Sequence, residues 1–241
     1  MNNAAKQKAA AQRANERRAQ EQRRRRNRWL SVIALAGVVG AGLIGVALWE
    51  ADKPAAVAVP ASVTEDGAGL PVGTGPVTVE VYMDFLCPAC RQFDQAARPL
   101  LDEYLADDAI ELVYRPIAIL DRATTTEFST RAVSAAGCAA DEGRSDEFVA
   151  VMMTNQPAEG TAGLSDEQIV QLGVSAGLDG ETFEQCVADG TYIDWAGENT
   201  GAAADRGVQG TPTVYVDGEV LAALSVEALV AAIENAARAA R

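Results

Sequence analysis

Cysteines are the residues of this chain best suited to chemistry, and two of its four stand in the segment Cys87-Pro88-Ala89-Cys90. This spacing suits thiol–disulfide exchange, in which one thiolate attacks and a nearby second thiol resolves the mixed disulfide. The chain contains no histidine. Mechanisms that need imidazole, such as a Ser-His-Asp triad, a Cys-His pair or an HExxH zinc site, are therefore excluded.

A structural zinc site and a static disulfide are the alternative interpretations of this motif. Zinc would need a second pair of ligands at suitable spacing, whereas Cys138 and Cys186 are isolated in the sequence. We therefore expect no metal site and no cofactor, and we interpret Cys87 and Cys90 as a redox pair.

The residues around the motif predict a strand that leads into a helix. Residues 77–84 alternate between apolar and polar side chains, which is typical of a strand. After the motif, apolar residues recur at helical spacing from Phe93 to Tyr104, and Pro88 suits the first helical position. Because a helix N-terminus stabilises a thiolate, we assign Cys87 as the nucleophile and Cys90, one turn on, as the resolving thiol.

Two acidic residues, Glu80 and Asp84, precede the motif on this strand. Either could assist proton transfer to the cysteines. Both share the outward parity of Tyr82, so exposed surface charge is the expectation that the alternation favours.

The rest of the domain continues with a strand at 110–117, a mostly helical block at about 121–206, a hairpin and a closing helix. The hairpin follows from the strand Thr213–Val216 and the turn dipeptide Asp217-Gly218. Two stretches of the sequence resemble those of the DsbA-like thiol–disulfide oxidoreductases. Their active-site entry is similar to V-Y-M-D-F-L-C-P-A-C-x-x-F, and their cis-proline loop is similar to G-V-Q-G-T-P-T-V-Y-V-D-G. The resemblance covers about residues 76–241.

This resemblance implies an α/β, thioredoxin-like fold with a helical insertion, and the apolar segment at residues 29–49 predicts a single transmembrane helix before it. It implies that Pro212 is cis and lies against the active-site cysteines, and that Thr211 pairs with the extended backbone of a substrate. Pro88 and Ala89 would support the site. The alternative for Pro212 is an ordinary turn proline before a strand.

Two differences from the strongly oxidising DsbA-like proteins leave the direction of electron flow open. The dipeptide between the cysteines is Pro-Ala, where strongly oxidising members carry Pro-His, and this suggests a less oxidising couple. Thr211 before the proline resembles disulfide isomerases as well as many DsbA-like proteins.

Cys138 and Cys186 remain if Cys87 and Cys90 are the redox pair, and we expect them to form a structural disulfide. A disulfide across their separation of 48 residues would remove roughly 4 kcal/mol of unfolded-state chain entropy. Two buried free thiols are the alternative.

A membrane segment is predicted at residues 29–49, which are 21 residues without a charged side chain. They would form about 31 Å of helix, close to the roughly 30 Å hydrocarbon core of a bilayer. Residues 1–28 hold ten basic and two acidic residues, so the positive-inside rule predicts a cytoplasmic tail and an extracytoplasmic remainder. A cleaved signal peptide is the alternative, although its apolar region is usually only about 7–15 residues long.

Residues 50–75 are predicted to be a flexible linker, and residues 76–241 the extracytoplasmic domain. That domain has nine basic and 28 acidic residues, which argues against nucleic-acid binding. The leading hypothesis is a membrane-tethered oxidoreductase that introduces disulfides into exported proteins and is recycled by a separate membrane redox partner. The alternatives are an extracytoplasmic reductase or isomerase, or a non-catalytic thioredoxin-like binding module.

Overall fold

The computed structural model describes residues 23–26, 29 and 56–239. The chain divides into two units, Met1–Ala56 and Val57–Arg241. In the first unit, residues 23–26 and 29 are helical and exposed. Across the described ranges, no helix combines the length and the apolar character needed to cross a membrane. Apart from Trp29, the predicted membrane segment at 29–49 lies outside those ranges, as does most of the predicted tail at 1–28.

The second unit is built on a five-stranded sheet in the order β1-β3-β2-β4-β5. The strands are β1 (Leu70–Val72), β2 (Val77–Met83), β3 (Ile110–Pro116), β4 (Thr213–Val216) and β5 (Glu219–Val220). The central pair, β2 and β3, is parallel, with Tyr82 opposite Arg115. The β1–β3, β2–β4 and β4–β5 pairs are antiparallel.

The folded unit begins earlier than the predicted boundary at residue 76. Strand β1 pairs with β3, so part of the predicted linker belongs to the sheet. The indole of Trp195 donates a hydrogen bond to the Gly67 carbonyl at 2.6 Å, and Val63 packs against the core. Without an aromatic residue or an amphipathic period, the sequence of 57–75 gives no local sign that it is held by such distant contacts.

Seven α-helices complete this unit within the described residues. They are α1 (Pro88–Ala106), α2 (Phe128–Asp141), α3 (Ser145–Thr154), α4 (Asp166–Ser175), α5 (Gly180–Ala188), α6 (Ile193–Asp205) and α7 (Val226–Ala239). The predicted capping box at the start of α4 is confirmed, because Ser165 and Gln168 each bond the other's backbone N–H. Helices α2 to α6 form the helical insertion between β3 and β4.

Both faces of the central strand β2 are covered. On one face, the apolar side chains of β2 pack in the main core with Phe93 and Leu101 of α1 and with Leu229 and Ile233 of α7. On the other face, Tyr82 lies in a second apolar cluster that includes Ala203 of α6 and Val208 after it. Helix α6 of the insertion therefore packs on this face of the sheet, and neither face of β2 is open to solvent.

Candidate active site

The cysteine motif joins the end of β2 to the start of α1. Cys87 is the N-cap residue, with an extended backbone, and Pro88 is the first residue of the helix. The Cys87 N–H donates to the Asp84 carbonyl at 3.0 Å, which fixes the turn between strand and helix. Pro88 and Ala89 are exposed, whereas Cys87 and Cys90 are 6% and 3% exposed. Both cysteines are in the free thiol form.

The two thiols have different surroundings, which shift their pKa values in opposite directions. The pKa of Cys87 is lowered from 9.0 to about 5, chiefly by a hydrogen bond from the Cys90 thiol. Hydrogen bonds from the Thr211 side chain and from the backbone N–H groups of Ala89 and Cys90 lower it further, while burial acts to raise it. Burial, reinforced by Cys87, raises the pKa of Cys90 well above its usual value. Cys87 is therefore the thiolate at neutral pH, while Cys90 stays protonated.

The predicted cis-proline loop lies against this pair. The Thr211–Pro212 peptide bond is cis. The Thr211 carbonyl oxygen lies 3.2 Å from Cys87 Sγ and accepts a hydrogen bond from it when the thiol is protonated, and Pro212 shares a small cavity with Cys90. Four of the predicted site residues, Cys87, Cys90, Thr211 and Pro212, are thus brought together from positions about 120 residues apart in the chain.

The expectation that Asp84 is surface charge is wrong, because its side chain is fully buried. It accepts hydrogen bonds from the Leu86 and Leu120 backbone N–H groups and from the Ser129 hydroxyl, at 2.7–2.9 Å. Burial nevertheless dominates and raises the pKa of Asp84 to about 6. The carboxyl ties the turn before Cys87 to the start of the insertion.

Glu80 is also buried, and the surface-charge expectation is wrong for it too. Its carboxylate accepts hydrogen bonds from Arg115 at 2.7 Å and from Arg206 at 2.6 Å. Burial acts to raise the pKa of Glu80, but the hydrogen bonds and charges of the two arginines outweigh it and lower the pKa. The alternation along β2 gave a wrong prediction for Glu80, because α6 covers the face of the strand that the pattern assigns to solvent.

Gln156, in the loop after α3, is a site residue that the sequence did not indicate. Its side-chain N–H donates to the Cys87 carbonyl at 2.9 Å. It lies 69 residues from Cys87 and belongs to no recognisable motif, so no local pattern could have identified it. The contact joins the insertion directly to the nucleophile.

A shallow groove of about 240 Å³ runs beside the motif. Its walls include Ala89, Phe93, Pro212, Leu224 and Val226, and Leu224 is 49% exposed. An apolar surface next to a reactive thiol is suited to contact with an unfolded or extended polypeptide. Among the residues that the structure describes, no group of three or more Cys, Asp or Glu side chains is arranged to hold a metal ion.

The other two cysteines, Cys138 in α2 and Cys186 in α5, are joined by a disulfide with their Cα atoms 6.0 Å apart. The bond links two helices of the insertion, whereas Cys87 and Cys90 lie where β2 leads into α1.

The sequence and the fold of this chain are similar to those of several known proteins. A family model described as Thioredoxin matches residues 73–235. The Na(+)/H(+) antiporter NhaA 3 of Salinispora tropica is 30% identical over 167 residues, which cover 69% of this chain and 24% of the antiporter. The chain therefore spans about a quarter of the length of this curated relative.

Two solved structures from Mycobacterium tuberculosis are each 32% identical to the chain, with a TM-score of 0.63. One is the reduced form of a disulfide bond oxidoreductase, DsbG; the match covers 70% of this chain and 87% of that one. The other is oxidised DsbA, where the match covers 70% of this chain and 92% of that one.

Proposed function

The chain belongs to the thioredoxin family and carries a domain of the DsbA-like type, and on this basis we propose that it is a thiol–disulfide oxidoreductase that introduces disulfides into exported proteins. The observation that carries the proposal is the asymmetry of the two thiols. Cys87 has a pKa of about 5 at a helix N-terminus, and Cys90, one turn on, has a strongly raised pKa.

The chemistry follows from that asymmetry. In the oxidised enzyme, a substrate thiolate attacks Cys87 Sγ, forms a mixed disulfide and displaces Cys90, which takes up a proton. A second substrate thiolate then attacks the substrate sulfur of the mixed disulfide and displaces Cys87 as a thiolate. Two electrons pass from the substrate to the cysteine pair. Because a thiol of low pKa is a good leaving group, the second step favours release of an oxidised substrate.

The groove beside the motif would hold the substrate. The backbone of Thr211 faces Cys87, and apolar side chains such as Phe93 and Leu224 line the surface next to it. These features support binding of an extended, cysteine-containing segment without selection for one sequence. The reduced pair would be reoxidised by a separate membrane redox protein, which supplies the oxidant.

Membrane tethering is part of the same proposal. It is supported by the basic residues at 1–28 and the uncharged apolar segment at 29–49, which predict a cytoplasmic N-terminus and an extracytoplasmic catalytic domain in the cell membrane. On this topology the substrates are exported proteins, and the redox partner lies in the same membrane.

The direction of electron flow is tested by the reduction potential of Cys87–Cys90, measured against glutathione, together with oxidation of a reduced, unfolded model substrate. We expect a potential less negative than the about −270 mV of thioredoxin, and stoichiometric substrate oxidation that Cys87→Ser abolishes. A potential at or below that value, with no substrate oxidation, would favour a reductase. Reshuffling of a scrambled substrate without net oxidation would favour an isomerase.

A further inference from the structure

Gln156 connects the helical insertion to the backbone of the nucleophile. It is half-buried in the loop that follows α3, and its side-chain Nε2 lies 2.9 Å from the Cys87 carbonyl oxygen. A carbonyl oxygen only accepts hydrogen bonds, so the donor end of the carboxamide is directed at Cys87. The contact therefore brings the positive end of an amide dipole to the residue that carries the thiolate.

The peptide bond between Cys87 and Pro88 is held through its carbonyl oxygen, because proline has no N–H to donate. This peptide joins the extended backbone of Cys87, with φ −72° and ψ 114°, to the start of α1. Its oxygen also accepts from the Arg91 N–H at 3.2 Å, which is the first hydrogen bond of the helix. Two donors from different parts of the fold, Arg91 and Gln156, therefore fix the orientation of this peptide.

The orientation of the Cys87–Pro88 peptide affects the thiolate in two ways. The Cys90 thiol contributes most to the lowered pKa of Cys87, and the backbone N–H groups of Ala89 and Cys90 add to it. These N–H groups follow directly after the peptide, so a rotation of the peptide would turn them away from Cys87 Sγ. The carbonyl oxygen is also the negative end of a dipole on the residue that carries the thiolate, and donation from Gln156 offsets part of that charge.

The loop that carries Gln156 is itself held in place by hydrogen bonds to the beginning of the insertion. The Gly160 N–H donates to the Ala123 carbonyl at 2.8 Å. Further along the loop, the Leu164 carbonyl accepts from the Arg131 guanidinium of α2, also at 2.8 Å. Because these contacts lie outside the cysteine motif, the insertion determines where the Gln156 side chain is placed.

We propose that Gln156 is a positioning residue for thiol–disulfide exchange, which stabilises the Cys87 thiolate by holding the Cys87–Pro88 peptide and so makes the cysteine pair more oxidising. The inference rests on the proposed redox role of Cys87 and Cys90. A more stable thiolate stabilises the reduced protein relative to the disulfide form, and this raises the reduction potential. The helical insertion thereby sets part of the driving force of the reaction.

Variants of Gln156 in the full chain test this role. Gln156→Met keeps the length of the side chain without its donor, and Gln156→Leu serves if the Met variant does not fold. The pH midpoint of Cys87 alkylation by iodoacetamide should rise by about half to one pH unit, as expected for the loss of one hydrogen bond. The equilibrium with glutathione at neutral pH should shift by the same factor, about three- to tenfold, toward the disulfide form. Gln171→Met makes the same change on the exposed surface of α4 and should match the parent protein in both measurements.

A residue that only anchors its loop would give a different result. Gln156→Met would then lower the melting temperature but leave the alkylation midpoint and the glutathione equilibrium as in the parent protein, and this outcome would overturn the proposal.

Nuclear magnetic resonance of the unmodified chain gives an independent test that needs no folded Gln156 variant. The side-chain amide signal of Gln156 should shift with the same pH midpoint as Cys87 alkylation, and this step should be absent from Cys87→Ser. An amide signal without the step, or a step that persists in Cys87→Ser, would also overturn the proposal. Exchange activity in the parent protein that Cys87→Ser abolishes shows that the proposed function holds, so that these results bear on the role of Gln156 alone.

Discussion

At the scale of single residues, the decisive difference is between the environments of Cys87 and Cys90. Hydrogen bonds from Cys90, Thr211 and the first turn of α1 hold the Cys87 pKa at about 5, below its ordinary 9.0. The thiolate therefore stabilises the reduced, folded protein most at a pH above about 9. This contribution shrinks as the pH falls and is lost below about 5.

The first prediction concerns the reactivity of that thiolate. Alkylation of the reduced chain by iodoacetamide, followed from pH 3 to 9, should titrate with a midpoint near pH 5, because that is the pKa of Cys87. Cys90→Ala should move the midpoint upward, since the Cys90 thiol is the largest stabilising hydrogen bond. Cys87→Ser is the control and should remove the fast reaction. A midpoint near 8 or 9 in the parent protein would refute the assignment of Cys87 as the activated thiol.

A second residue-scale prediction concerns Asp84, whose pKa is raised by burial to about 6 from 3.8. Because the folded state prefers the protonated carboxyl, the contribution of Asp84 to the free energy of unfolding is largest below about pH 4. This contribution is lost as the pH rises through about 6. The loss amounts to about 3 kcal/mol at most. Urea unfolding of the oxidised protein between pH 4 and 7.5 should show this decline, and Asp84→Asn should flatten it. Equal slopes for both proteins would contradict the prediction.

The sequence predicted part of this residue-level site. Cys87, Cys90 and the Thr211-Pro212 pair stand in recognisable motifs, and the strand-to-helix pattern locates Cys87 at a helix N-terminus. Gln156 reaches Cys87 through a loop of the insertion, so only tertiary packing reveals it. Asp84 was assigned to the surface because strand alternation cannot distinguish an exposed face from one covered by a helix.

At the scale of elements, local signals located most helices and strands, while pairing partners depended on distant contacts. The capping box at Ser165 and the Asp217-Gly218 turn are short-range patterns, and both occur where expected. Strand β1 has only three residues and exists because it pairs with β3, about 40 positions along the chain. Its sequence therefore gave no strand prediction.

The disulfide between α2 and α5 gives an element-scale prediction. Replacing both Cys138 and Cys186 by Ala should lower the free energy of unfolding by roughly 2–4 kcal/mol, because a 48-residue loop is no longer closed in the unfolded chain. The Cys87 alkylation midpoint should stay within about half a pH unit, since the groups that lower the pKa of Cys87 belong to Cys90, Thr211 and Ala89 and none lies in the two bridged helices. Urea unfolding and the alkylation profile measure the two effects. An unchanged unfolding midpoint would show that the bond does not stabilise the fold.

At the scale of the whole molecule, the charge is divided between two ends. Residues 1–28 are basic, whereas residues 76–241 carry 28 acidic and nine basic side chains. The sequence alone suggests a topology from this division and from the segment at 29–49. An acidic catalytic domain would also remain soluble beside an anionic membrane surface.

That topology can be tested with single cysteines read by a membrane-impermeant maleimide in intact cells. In a chain whose four native cysteines are replaced by Ser, we expect a cysteine at Ser62 to be labelled from outside. A cysteine at Asn15 should react only after the membrane is permeabilised, because the basic tail stays in the cytoplasm. Labelling of both positions, or of Asn15 alone, in intact cells would reverse or refute the proposed orientation.

The most direct test of the central claim, that Cys87 is the cysteine that forms the mixed disulfide with substrates and that Cys90 can break it, is capture of mixed disulfides in cells that express the Cys90→Ala chain. Without its resolving thiol, Cys87 should accumulate in covalent complexes with exported, cysteine-containing proteins. These complexes should disappear on reduction and be absent from a Cys87→Ser/Cys90→Ala double variant. The absence of such complexes from the Cys90→Ala chain, or their persistence in the double variant, would contradict the claim.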